Sequence, residues 1–345
     1  MMGMEVSIQA IFREHFEAYA QSHRLPVHQR RAARALIACR TAALGGHVQA
    51  CPEGHVERVW YNSCKHRVCP QCNQIQIERW LAFQQARLLS CAHHHLIFTL
   101  PHELNALWMG NTAVMTGLLF RAVRDTLMEL TRDERYLGAE PGFLLTLHTW
   151  GRSLSLHPHI HCLITDGGLD GEGHWVKPKK SCFLPARVVM ALFRGKFLSF
   201  LQRAEAGGAL RLPLEWGQGD FQALLSKLYR TKYNVHLQER YPHGEGVVKY
   251  LARYVRGGAL KNRQIQKLTE EGITYRFYAH GAGGKPTEMT VSPEEFFRRY
   301  LQHVPAHRRQ VVRSFGLYAH TKTAALNRAR AGQGQPPIER PPFSP

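Results

Sequence analysis

The sequence predicts a mixed α+β chain in which a helical, cysteine-rich N-terminal module precedes a body of short strands and longer helices. Three observations carry this reading. Runs with apolar residues at helical spacing, such as IQAIFREHFEAYA (8–20), alternate with short strand-type runs, such as HHLIFTL (94–100). Six of the eight cysteines fall within the first 91 residues. Apolar residues make up 44% of the chain and charged residues 21%, an ordinary globular balance. The 345 residues suffice for two or three domains of roughly 100–200 residues each.

The elements follow in order. IQAIFREHFEAYA and the Ala/Arg/Leu-rich RRAARALIACRTAAL (30–44) read as helices. Residues 46–75 are rich in Gly, Pro and Cys, with a short strand pattern at HVERVWYN (55–62), and IQIERWLAFQQARLL (75–89) is helical again. HHLIFTL, ended by Pro101, fits a buried strand, and a helix is expected at about 111–131. FLLTLHTW (143–150) and HIHCLITDGG (159–168) read as two strands of a hairpin. Further helices are expected near 185–205, 219–229 and 245–256, and the Pro/Gly-rich tail from about 331 is expected to be disordered.

Charge narrows the function. Lys and Arg number 45 against 26 Asp and Glu, a net charge of +19, and residues 241–345 alone carry 17 basic against 7 acidic residues. Such an excess calls for a polyanionic partner, nucleic acid first. No run of about 18 uncharged apolar residues exists, since the stretch 185–201 is broken by Arg194 and Lys196. The N-terminus lacks the basic-then-apolar layout of a signal peptide. A cytoplasmic, nucleoid-associated protein with no membrane partner is therefore expected.

In CPEGHVERVWYNSCKHRVCPQC (51–72), Cys69 and Cys72 form a C-x-x-C knuckle that aims two thiolates at one ion. A tetrahedral structural zinc site needs two more ligands from Cys51, His55 and Cys64, so four of these five residues are expected to bind Zn²⁺. A redox role for the knuckle would not need the other cysteines. With Lys65 and Arg67 between its ligands, the module reads as a nucleic-acid-binding one rather than a catalytic one.

The histidines are more informative. His159 and His161 flank Ile160, so on a strand both imidazoles project from one face and can share a divalent ion. His148, on the preceding strand, joins them if the register sets it opposite 159 or 161, and is excluded if it pairs with Ile160. His157, before Pro158, reads as a turn residue or a group behind the ligands. In GEGVVKYLARYVRGG (244–258), Tyr250 and Tyr254 lie one helical turn apart among Lys249, Arg253 and Arg256. Tyrosines at that spacing are ordinarily core. Beside a metal site they become candidate nucleophiles, because a polarised phosphodiester and nearby cations make attack by a phenol of pKa near 10 feasible.

These residues resemble the two-tyrosine branch of the His-hydrophobe-His (HUH) single-strand DNA endonucleases. The cysteine module narrows the resemblance to rolling-circle insertion-sequence transposases with an N-terminal zinc-binding domain. The strings that carry it are NSCKHRVCPQC, HHLIFTLPHEL, LHTWGR, HPHIH, YLARYV and FGLYA, spanning residues 51–319. The resemblance implies an α+β fold: an HUH endonuclease domain with a central antiparallel sheet flanked by helices, preceded by a helical zinc-binding module. It further implies Mg²⁺ or Mn²⁺ at His159 and His161, nucleophilic Tyr250 and Tyr254, a 5′-phosphotyrosine intermediate, and transposition through single-stranded DNA. His148 is similar to the third histidine of conjugative relaxases. Relatives often have C-x-x-C where this chain has Cys51-Pro-Glu-Gly-His55.

The expected division is a zinc-binding DNA-recognition module (1–90), a catalytic domain including the tyrosine helix (91–260), a basic DNA-binding extension (261–330) and a tail (331–345). Expected partners are single-stranded or hairpin DNA at transposon ends, target DNA and the host replication machinery, with Lys249, Arg253 and Arg256 on the DNA. Alternative readings are a plasmid replication initiator or relaxase of the same chemistry, and a non-enzymatic zinc-containing regulator.

Overall fold

The computed structural model describes residues 6–178, 183–242, 244–255, 258–278 and 285–339; among these, the side chains at 238, 239, 247, 250 and 253–255 lie outside the description. The helices are α1 (Ile8–Ser22), α2 (Val27–Ala38), α3 (Gln74–Arg87), α4 (Asn105–Gly110), α5 (Thr112–Arg132), α6 (Ala186–Ala206), α7 (Asp220–Arg230), α8 (Glu245–Val255), α9 (Pro293–Leu301) and α10 (Thr323–Ala331). The strands are β1 (Gly46–Ala50), β2 (Val56–Tyr61), β3 (His93–Thr99), β4 (Glu140–Trp150), β5 (Leu156–Leu169), β6 (Trp175–Val176), β7 (Asn234–Tyr241), β8 (Ile265–Thr269), β9 (Gly272–Tyr278), β10 (Pro286–Val291) and β11 (Val312–Gly316). Among the described residues, no helix is long and apolar enough to cross a membrane. The chain divides into two compact units, one of residues 1–79, 150–156 and 252–309, the other of 80–149, 157–251 and 310–345.

The first unit is built from three separate stretches of the chain. Ser7 caps α1, its hydroxyl accepting from Ala10 N, and the helix buries Ile8, Ile11, Phe12 and Phe16 on one face. That face meets α9, where Phe12 and Phe16 pack edge-on against Phe297 at centroid distances of 5.0 and 5.7 Å. The antiparallel sheet β8–β9–β10 adds Ile273 and Tyr275 to the same core. The segment expected as a basic extension therefore supplies core in its first half. Its helix α9 turns Phe296, Phe297, Tyr300 and Leu301 inward, while Arg298 and Arg299 both bind Glu295. Those bonds, Arg298 first, hold the Glu295 carboxyl down at about 2. The hairpin β1–β2 is exposed along its whole length.

The second unit is organised on a sheet of order β11-β4-β5-β3-β7, with β6 paired to β5. Both β3–β5 and β3–β7 are antiparallel. Phe98 lies opposite Ile160 and Ile97 opposite His161, so the two faces of the sheet are chemically different. The Phe98 face is covered by helices: Phe193 of α6 packs edge-on to Phe98 at 5.1 Å, and Arg313 of β11 lies over Phe120 of α5 at 4.3 Å. The opposite face carries the histidines and receives α8, whose Val248 and Leu251 pack against Leu144 of β4 and Leu163 of β5. The central antiparallel sheet flanked by helices is as the resemblance implies, and the mixed α+β class is as the sequence predicts.

Two elements near the C-terminus differ from expectation. Val312–Gly316, within the stretch expected as a basic extension, is an edge strand on β4, and the FGLYA string runs from it into a turn. Gly316 takes φ +56°, and a Cβ there would lie 1.9 Å from the Pro141 carbonyl. The turn delivers Tyr318 into the core, where its hydroxyl accepts from Leu89 N at 3.2 Å and lies 2.7 Å from His93 Nε2. The segment after α10, expected to be disordered, folds back on it through residue 338: Arg330 Nε donates to the Pro336 carbonyl and Ile338 N to Asn327 Oδ1. These bonds supply what its Pro/Gly composition could not reveal.

Candidate functional site

Three imidazoles converge on the sheet face that α8 covers. His159 and His161 stand two residues apart on β5, and His148 reaches them from β4; one ring nitrogen of each lies within 4.8 Å of the others. The register is thus the one that admits His148. Its ring centroid is 4.3 Å from that of His161 and 5.3 Å from that of His159. His148 and His161 are only 3% and 4% exposed. His159 Nδ1 donates to the His157 carbonyl at 2.7 Å, which leaves its Nε2 lone pair directed toward His161 Nε2, 3.2 Å away. His157 acts through this carbonyl, from the position behind the ligands.

A fourth histidine belongs to the group. His95 Nε2 lies 2.9 Å from His161 Nδ1. The sequence identifies HHLIFTL only as a buried strand; His95 stands two residues from Ile97, the β3 partner of His161, and that pairing is set by the fold rather than by any spacing. Burial pushes His95 and His159 down to about 4, and pushes His161 down to about 2 with help from His159 and His95. Burial, then His161 and His159, brings His148 well below its ordinary value. All four rings are therefore neutral at pH 7. Three neutral imidazoles, each offering a nitrogen to one small volume, fit a divalent cation and leave positions open for oxygen ligands.

Helix α8 carries Tyr250 and Tyr254. The side chains of both tyrosines and of Arg253 lie outside the described residues, as does Arg256 altogether. Lys249 is exposed, with its Nζ 3.7 Å from Glu245 one turn earlier.

The other unit holds four cysteines in one cluster. Cys39, Cys64, Cys69 and Cys72 place their sulfurs within 4.8 Å of one another, with Cys69–Cys39 and Cys64–Cys72 both at 3.6 Å. A tetrahedral zinc with Zn–S bonds of about 2.3 Å has sulfur–sulfur edges of about 3.8 Å, so the set fits that ion. Local backbone builds the knuckle: Lys65 takes φ +52°, His66 N donates to Cys64 Sγ at 3.4 Å, and the buried Asn73 amide donates to the carbonyls of His66 and Cys69. Thiol donation from Cys64 and Cys69 holds Cys72 far down, at about 2, while Cys69 is pushed up by its bonds to Cys64 and Cys72 and by burial. Four sulfurs this close cannot all ionise without a cation among them.

This cluster differs from the set expected from spacing. Cys64, Cys69 and Cys72 come together, but the fourth member is Cys39, at the end of α2. Cys51 and His55 instead share the exposed turn of the β1–β2 hairpin, where Cys51 Sγ lies 3.5 Å from His55 Nδ1 and Glu53 is adjacent. A fully extended hairpin carries its tip away from its base, which is why proximity in sequence misled. Cys39 stands 25 residues before Cys64, and only the packing of α2 brings it to the knuckle.

Two family models match the chain, one described as "Putative transposase" over residues 142–325 and one described as "Transposase zinc-binding domain" over residues 11–100. The chain belongs to this transposase family. The first match spans the three histidines and α8, and the second spans the four-cysteine cluster and His95. The transposase is 38% identical over 312 residues to "Putative transposase y4qJ" of Sinorhizobium fredii (strain NBRC 101917 / NGR234), covering 89% of this chain and 78% of that protein. It is 29% identical over 292 residues to the transposase for insertion sequence element IS801 of Pseudomonas savastanoi pv. phaseolicola, covering 83% and 69%. Among solved structures it matches the metal-bound conjugative relaxase TrwC in complex with oriT DNA at 13% identity, with a TM-score of 0.26, over 73% of this chain and 96% of that one. The two-tyrosine HUH transposase type with an N-terminal zinc-binding domain is the one the motifs resemble.

Proposed function

We propose that this transposase nicks and rejoins single-stranded DNA at transposon ends by tyrosine attack, forming a 5′-phosphotyrosine intermediate in rolling-circle transposition. The observation that carries the reading is the His148–His159–His161 cluster on the sheet face against which α8, the tyrosine helix, packs. A divalent cation held by these histidines would polarise the scissile phosphate and stabilise its developing charge. The all-imidazole donor set suits Mn²⁺ better than Mg²⁺, which prefers oxygen.

In this reading Tyr250 or Tyr254 gives up its phenolic proton and forms a bond from its oxygen to phosphorus. The bond to the 3′-oxygen breaks, and that oxygen takes up a proton to become a free 3′-hydroxyl. One phosphodiester replaces another, so its energy is retained and a later 3′-hydroxyl can reverse the step. The second tyrosine can then cut the other junction. The 3′-hydroxyl can prime synthesis by the host replication machinery, and acting on cellular DNA places the work at the nucleoid. Lys249, Arg253 and Arg256 are assigned to phosphate contacts along the strand. Cys39, Cys64, Cys69 and Cys72 are assigned to a structural zinc that closes the knuckle of the DNA-recognition module.

Labelled single-stranded oligonucleotides tiled across the DNA flanking the gene test the reading. Cleavage should appear with Mn²⁺ and fall by at least about 10²-fold in the His159→Ala/His161→Ala double variant, on the scale of losing one preorganised electrostatic stabiliser. Cleavage that survives both chelation and the double variant would overturn the role given to the histidines.

A further inference from the structure

We infer that His95 is a positioning residue, whose hydrogen bond to His161 Nδ1 fixes the tautomer and ring plane in which His161 presents Nε2 to a cation. The inference rests on the reading of His148, His159 and His161 as a cation site.

The three consecutive histidines of β3 do three different things. His93 turns its Nδ1 to the Cys91 carbonyl at 2.9 Å and its Nε2 to Tyr318 Oη at 2.7 Å, which ties the strand to the core. His94 projects from the opposite face, where its Nε2 lies 3.0 Å from Asp166 Oδ1 and its ring stacks on Phe183. His95 alone is directed at the cluster. Its β5 partner is Leu163, so it reaches His161 diagonally across the strand pair, a distance long side chains can span. The ring centroids of His95 and His161 are 5.1 Å apart with planes only 20° apart. That separation is close to the 2.9 Å contact plus two ring radii, so the rings meet edge to edge through their nitrogens rather than face to face.

A contact of this kind holds one proton between two nitrogens, and which ring carries it decides what His161 can do. If His95 donates, neutral His161 keeps its own proton on Nε2, aimed at His159 Nε2, and has no lone pair for a cation. If His161 Nδ1 donates, its Nε2 lone pair is open. His159 has no such choice. Its Nδ1 faces a backbone carbonyl, which can only accept, so its Nε2 is presented whatever the neighbouring side chains are. Of these two strand histidines, His161 is thus the one whose competence depends on a replaceable partner: without a cation its Nε2 proton can bridge to His159 Nε2, and when a cation takes that place His95 must serve as the acceptor through Nε2.

The test uses the full chain without DNA, and Mn²⁺ as the probe. Titration calorimetry should show His95→Phe, which keeps the ring and its burial but removes the acceptor, binding Mn²⁺ about 10–100-fold more weakly than the unaltered chain. His95→Gln, whose side-chain oxygen can still accept, should restore most of that affinity. A merely structural His95 would change thermal stability in both variants and leave the affinity alone. Wild-type affinity in a folded His95→Phe chain overturns the inference. If His95→Phe does not fold, imidazole ¹⁵N resonances of the unaltered chain decide instead. With a diamagnetic divalent cation bound in place of Mn²⁺, His161 protonated at Nδ1 supports the assignment, and His161 still protonated at Nε2 overturns it. Equal Mn²⁺ binding by the unaltered chain and the His159→Ala/His161→Ala variant would defeat the cation-site reading itself, a result distinguishable from loss of the His95 role alone.

Discussion

A chain carrying Tyr250→Phe together with Tyr254→Phe should form no covalent protein–DNA adduct, and its strand cleavage should fall by at least about 10⁴-fold, the scale on which removing a covalent nucleophile acts. Phenylalanine keeps the ring and the helix propensity and deletes only the hydroxyl. Helix α8 is anchored independently, through Val248 and Leu251 on Leu144 and Leu163, so the variant should remain folded. Circular dichroism matching that of the unaltered chain would show that chemistry, not structure, was lost. Each single variant should still cut one junction while failing to complete transfer between two, if the tyrosines act in turn. Adducts at normal yield in the double variant would remove both residues from the mechanism.

Cys39→Ser should lose the bound zinc and destabilise its unit by at least about 3 kcal/mol, a fraction of the roughly 10–16 kcal/mol by which structural zinc stabilises small domains. The residue is fully buried, 3.6 Å from Cys69, in the core that α1, α2 and α9 share. Cys51→Ser, at the exposed hairpin turn, should keep its zinc and change stability by less than about 0.5 kcal/mol. Metal content per chain, measured after dialysis against a weak chelator, separates the two. Zinc lost from Cys51→Ser and kept in Cys39→Ser would reverse the assignment.

These two cases mark where the sequence was legible. The histidine pair was readable because strand geometry converts a spacing of two into a shared face, a purely local rule. His148 needed one further fact, the register between β4 and β5, which the sequence left open between two outcomes. Helices α5, α6, α7 and α8 fall within a few residues of their expected spans, because each carries an apolar stripe at helical period. Cys39 and His95 were missed for one common reason. Each reaches its partner across tertiary structure, Cys39 through the packing of α2 and His95 through a diagonal between β3 and β5, and no spacing rule encodes either approach.

The C-terminal third shows a different limit. Its basic composition drew attention to DNA, yet in α9 the arginines Arg298 and Arg299 are committed to Glu295, and the neighbouring Phe296, Phe297 and Tyr300 are core. Net charge counts such arginines at full value, although a paired arginine contributes little to an external field. Strand β11 was hidden for a related reason. An edge strand such as Val312–Gly316, with Arg313 lying over Phe120, does not show the clean alternation that a half-buried strand displays. What the +19 charge indicates therefore depends on which cations are committed to carboxylates within the fold.

The central claim is that the strand is cut by a tyrosine of α8 that keeps the 5′ end. It is tested most directly by trapping the adduct. The unaltered chain would be incubated with Mn²⁺ and a single-stranded oligonucleotide from the end of its element, then digested, and the DNA-bearing peptide sequenced by mass spectrometry. The expected product is a 5′-phosphate ester on Tyr250 or Tyr254, with a released fragment ending in a free 3′-hydroxyl. An adduct on any other residue, a 3′-phosphotyrosyl linkage, or cleavage with no protein attached to either fragment would contradict it.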